Sequence, residues 1–61
     1  MTERELVVLR LTEYGTSVAE IARRTSLSNG TVRNCLAAAT RKLGVGTRTE
    51  AFRLAQDNDW L

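Results

Sequence analysis

The side chains best suited to chemistry in this sequence are ones that recognise a partner and do not react with it. Arg33 and Asn34 lie within one helical turn of Gly30 and Ala37, and Arg41 follows one turn later. At 100° per residue all five fall on one side of a helix. Arg and Asn form bidentate hydrogen bonds with guanine and adenine edges, and small residues let a helix approach a groove closely. The agents of acid–base, nucleophilic and metal chemistry are missing. There is no histidine, and Cys35 is the only cysteine, which leaves no internal disulfide and no zinc site. A chain of 61 residues can barely close one core, let alone shape a pocket beside it. The residues point away from an enzyme and toward no metal, no cofactor and no small-molecule substrate.

Charge is distributed unevenly. Between Ile21 and Thr49 stand Arg23, Arg24, Arg33, Arg41, Lys42 and Arg48 with no acid, a charge of +6. The flanks hold three basic residues and all seven acids, a charge of −4, which reconciles the segment with the net +2. Clustered cations of this kind suit a polyanion, because neutralising phosphates releases their counterions. A solvated basic helix face would leave the same pattern. The content of 43% hydrophobic residues excludes a disordered polar tail. No apolar run, Leu6–Leu9 included, comes near the roughly 20 residues that span a membrane. No signal-peptide pattern is present.

The elements that must position these residues are helices. Thr2 with Glu5, Ser17 with Glu20, and Thr47 with Glu50 each read as an S/T-x-x-E capping box, and Ser28 as a fourth cap. Gly15 and Gly44 sit where the first and third helices would end. The expected helices span 3–14, 18–25, 29–43 and 48–58, and no stretch alternates like a strand, so the fold class is all-α. In the third helix Val32, Leu36, Ala39 and Leu43 form one apolar stripe, opposite the Arg33–Asn34 face. In the second, Val18, Ile21, Ala22 and Thr25 line a face, and Ser26–Leu27–Ser28 makes a short turn with an apolar centre. That spacing is a helix-turn-helix unit, in which the first helix props the second against the major groove.

The segments E-I-A-R-R-T-S-L-S-N-G-T-V-R-N (Glu20–Asn34), R-K-L-G-V (Arg41–Val45) and R-T-E-A (Arg48–Ala51) resemble the LuxR-type helix-turn-helix domain, the effector half of NarL/FixJ-class response regulators. The T-V-R-N phrase, the alanine stretch and the closing N-x-W-L are most like actinobacterial members. The resemblance covers essentially residues 1–61 as one four-helix domain, with the helix-turn-helix at about 18–37 and a dimerisation helix at about 48–58. It implies a sequence-specific, double-stranded-DNA-binding transcriptional regulator acting as a homodimer in the bacterial cytoplasm. It further implies base contacts from Arg33, Asn34 and Ala37, and phosphate contacts from Ser28, Asn29, Thr31, Arg41 and Lys42. Thr49, Phe52, Arg53 and Gln56 on helix four would meet a second copy. RNA polymerase and a regulatory receiver domain are the further partners the family implies.

Several residues carry two readings. Arg41 and Lys42 also suit the negative end of a helix dipole, and Arg23 and Arg24 fit a backbone contact or plain solvation equally. Phe52 belongs to the core or to a dimer seam. Cys35 reads as a small packing residue, and Trp60 with Leu61 as a lid on the core. Leu6 and Val7 exceed what a core face requires and form a candidate patch for docking a regulatory domain. A receiver would add roughly 100–150 residues, so the sequence fits a stand-alone regulator or an effector domain of a longer one. Two rivals are sigma factor region four, similar across Glu3–Leu43 but lacking the capped helix in Gly44–Leu61, and a protein-interaction module with a basic face.

Overall fold

The computed structural model describes all 61 residues as four helices and no strand: α1 (Glu3–Arg10), α2 (Val18–Thr25), α3 (Asn29–Leu43) and α4 (Arg48–Asp57). No helix is long and apolar enough to cross a membrane. Each helix starts under the hydroxyl that its sequence supplies. Thr2, Ser17, Ser28 and Thr47 accept from the amides of Glu5, Glu20, Thr31 and Glu50. Only the first of the three expected capping boxes is reciprocal, with Thr2 N donating to Glu5 Oε1 at 2.8 Å. Glu20 turns instead to two arginines, and Glu50 accepts from the Thr47 hydroxyl. For Glu20 the charged guanidinium donors one turn on make stronger hydrogen bonds than a neutral amide would.

The helix ends explain how the short joints hold. At Ser26, Gly44 and Asp59 the backbone is left-handed, with φ of 60°, 70° and 59°. The next amide in each case closes back on the helix: Leu27 on Ala22, Val45 on Thr40 and Trp60 on Ala55, at 3.1, 3.1 and 2.9 Å. These are Schellman closures. Two of them use non-glycine residues, which sequence reading by glycines alone does not find. The closure at Ser26 forms the turn between α2 and α3 and folds Leu27 onto the core. α1 ends earlier than its expected limit at residue 14. The Thr12 amide and hydroxyl both take the Leu9 carbonyl, at 3.0 and 2.6 Å, so the chain tightens into turns before Gly15.

One core joins the four helices, built from Val8, Leu9, Ile21, Ala22, Val32, Leu36, Ala39, Ala51 and Ala55. α3 runs through its centre and packs against each of the others. Phe52 and Cys35 are half-buried against this core, as is Leu61. Trp60 is not a lid: the reversal at Asp59 leaves it 47% exposed, over a shallow hollow shared with Met1 and Leu6. Leu6 is half-buried and Val7 is 46% exposed. Two polar residues, Glu5 and Thr12, are buried with the core. No buried side-chain polar atom lacks a partner.

Candidate nucleic-acid interface

α3 is the helix that the rest of the domain holds up. Val32 and Ala39 are fully buried and Leu36 nearly so, which fixes the inward side. The outward side carries Gly30, Arg33, Asn34, Ala37 and Arg41, all exposed, with Asn29 exposed at the helix start. At 15 residues α3 is about 22 Å long, and a helix is about 10–12 Å across with its side chains. That matches the roughly 12 Å width of a B-DNA major groove. The hollows on the surface of the domain, the largest about 520 Å³ between α1 and α2, include no α3 residue in their walls. The face is convex and open, suited to entering a groove and not to enclosing a small molecule.

Ion pairing sorts the six mid-chain cations into two sets. Arg23 and Arg24 both bond Glu20, Arg24 through Nε at 3.0 Å. Lys42 Nζ reaches Glu5 Oε1 and Oε2 at 2.8 and 3.0 Å, linking residues 37 apart in sequence. Arg33, Arg41 and Arg48 form no ion pair. The +6 of the sequence is therefore not a uniform field. Its unpaired, exposed part is Arg33 and Arg41, on the outward side of α3.

The two paired carboxylates register their partners. The Lys42 hydrogen bond, aided by the Thr2 amide, holds the Glu5 carboxyl below its ordinary range. The Arg24 hydrogen bond does the same for Glu20, with Arg23 adding its charge. The start of α3 is capped internally. Ser28 Oγ accepts from the Thr31 amide at 3.1 Å and donates to Thr31 Oγ1 at 2.9 Å. The first amides of the helix, at Asn29 and Gly30, lie ahead of this closure, where a helix leaves its donors pointing outward.

The structure thus brings Asn29, Arg33, Asn34, Ala37 and Arg41 onto one open surface, with Ser28 and Thr31 at its edge. Lys42 is turned half a circle from Arg33 around the helix and is bonded to α1. Of the α4 residues, Thr49, Arg53 and Gln56 are exposed together, whereas Phe52 lies between that face and the core. Sequence reasoning missed the Glu5–Lys42 and Glu20–arginine pairs. The second had a visible signal in the i, i+3 and i, i+4 spacing. The first had none.

A short capped turn, a buried Ile21–Ala22–Val32–Leu36 joint and an open basic face on the second helix make a helix-turn-helix. The family model for the bacterial regulatory proteins of the luxR family matches residues 1–55. The chain belongs to the LuxR family. It is a helix-turn-helix domain of the DNA-binding kind found in response regulators. It is 50% identical over 60 residues to the response regulator RamR of Streptomyces coelicolor. It is 38% identical over 60 residues to the transcriptional regulatory protein DesR of Bacillus subtilis, and 38% identical over 61 residues to the transcriptional regulatory protein YvfU of the same organism. These matches cover 98–100% of this LuxR-family domain and 30% of each relative. The domain spans about a third of the length of the regulators it matches.

Proposed function

We propose that this domain is the output domain of a two-component response regulator and binds operator DNA as a homodimer, with α3 in the major groove. The observation that carries the reading is the outward side of α3: convex, free of acids and bearing two exposed arginines, Arg33 and Arg41, that form no ion pair. Arg33 and Asn34 read base edges through bidentate hydrogen bonds, and Ala37 offers an apolar contact to a thymine methyl. Ser28, Asn29 and Thr31 at the helix start and Arg41 nearer its end bind phosphates and fix the register. Lys42 adds a weaker phosphate attraction, because two of its three N–H donors are held by Glu5. Thr49, Arg53 and Gln56, with the outer edge of Phe52, form the seam between two copies on adjacent half-sites. Val7 is the apolar surface of α1 left open for a receiver domain. The site of action is the bacterial cytoplasm, where the DNA lies.

Duplex binding measured against salt tests this reading. Each phosphate neutralised contributes about −0.9 to the slope of log K against log salt. Arg41→Met is expected to lower the magnitude of the slope by about 0.9, and Lys42→Met by less. No measurable duplex binding at about 50 mM salt would reject DNA as the ligand. Sedimentation of the domain on duplexes with one and two selected half-sites tests the α4 seam, and equal, independent occupancy would reject it.

A further inference from the structure

The surface of α2 opposite the core is built around one carboxylate. Val18, Ile21, Ala22 and Thr25 face inward, and Glu20 falls on the far side with Arg23 and Arg24 to its left and right. Each oxygen of Glu20 is taken by a different arginine: Oε1 by an Arg23 guanidinium N–H, Oε2 by Arg24 Nε. The arginine side chains are 76% and 57% exposed, so neither is held by burial. The carboxylate is also not needed by the helix start, since the Ser17 hydroxyl caps the Glu20 amide and Glu20 does not reach back to Ser17.

α2 is the first helix of the helix-turn-helix, the one that crosses the DNA backbone when the second lies in the groove. Two free arginines there would raise affinity for any duplex, because phosphate neutralisation is independent of sequence. That term competes with operator recognition across every non-specific site in a genome. We propose that Glu20 limits the sequence-independent DNA affinity of the domain by holding Arg23 and Arg24 off the phosphates. A guanidinium bonded to Glu20 must exchange one oxyanion for another to reach DNA, whereas Arg33 and Arg41 approach unpaired. Within the helix-turn-helix, the unpaired charge is thereby confined to the helix that reads bases. This inference rests on the duplex-binding reading above.

The test compares the unaltered domain with Glu20→Gln and with Glu20→Gln/Arg23→Gln/Arg24→Gln on a random-sequence duplex, across salt. Glutamine at this third helical position suits a capped helix start as well as glutamate does. Circular dichroism of all three reports whether helix content is kept. Glu20→Gln is expected to steepen the salt slope by about 0.9 to 1.8, one to two phosphates' worth. Between 50 and 200 mM salt it would lose about 3- to 12-fold more affinity than the unaltered domain, from a higher starting value. The triple variant should return to the unaltered slope. An unchanged slope in Glu20→Gln overturns the proposal. So does a steepening that persists in the triple variant, which would assign the effect to the charge of Glu20 itself. If the unaltered domain binds no duplex, the DNA reading falls and this one with it.

Discussion

The outward side of α3 and the joint between α1 and the end of α3 draw on the same kinds of residue and use them oppositely. At the joint, Lys42 meets a carboxylate that is 8% exposed and already bonded to the Thr2 amide, so charge is spent on holding two helices together. On the open side, Arg33 and Arg41 meet no acid at all, so their charge stays unpaired and exposed. Counting basic residues along the sequence merges these two uses. Counting them after pairing separates cations held by an acid from cations left free, and three of the six mid-chain cations prove to be held.

The contrast is broken most strongly at Arg33. Arg33→Ala is expected to cost about 1–3 kcal/mol of operator binding and to relax preference at one base pair, with no loss of thermal stability. Selection from random duplexes before and after the substitution checks both parts. Equal losses on random and selected DNA would assign Arg33 to phosphate and remove base readout from this position.

The joint gives the reverse signature. Glu5→Gln keeps an acceptor for the Thr2 amide and removes the charge facing Lys42. It should lower folding stability by about 1.5 kcal/mol, the low end for a hydrogen bond to a charged group, because Lys42 is half-exposed. It should leave base preference unchanged. Acid sensitivity follows from the same contact. Glu5 titrates below its ordinary value of 4.5 in the folded chain, so the unfolded chain binds more protons as pH falls. The stabilisation is complete above pH 4.5 and fades as pH drops through the depressed value. Melting curves of the unaltered domain should therefore fall more steeply below pH 4.5 than those of Glu5→Gln. Parallel curves would mean that the Glu5–Lys42 pair adds no stability.

Most of the fold was legible because its signals are local. The hydroxyl caps at Thr2, Ser17, Ser28 and Thr47 fix where helices start, and the limits of α2 and α3 agree with the expected ones. What escaped was set by competition or by distance. The short α1 reflects a hydroxyl at Thr12 that shares the Leu9 carbonyl with its own amide. The left-handed Ser26 and Asp59 lack the glycine that advertises such a turn. Glu5 fitted a capping box so well that no local pattern suggested a second partner, which tertiary packing brings from 37 residues away. The outward side of α3 was readable because helical periodicity alone places Arg33, Asn34, Ala37 and Arg41 together. Which cations stay unpaired depends on acids in other turns or other helices, and only the packed chain settles that.

The smallest expected effect is also the one that most sharply separates folding from recognition. Gly30 lies in the first turn of α3, on the same side as Arg33 and Arg41, and a Cβ built there meets only Ser28 Oγ at 3.9 Å. Nothing in the fold therefore requires glycine, which costs a helix about 0.5–1 kcal/mol relative to alanine. Gly30→Ala should stabilise the domain by about that amount, a rise of several degrees in Tm. If α3 enters the groove as proposed, the same methyl would stand at its closest approach, and duplex affinity should fall while stability rises. Melting and binding curves on one preparation would show the two changes moving in opposite directions. Higher stability with unchanged affinity would move the closest approach away from Gly30, toward the turn that carries Arg33 and Ala37.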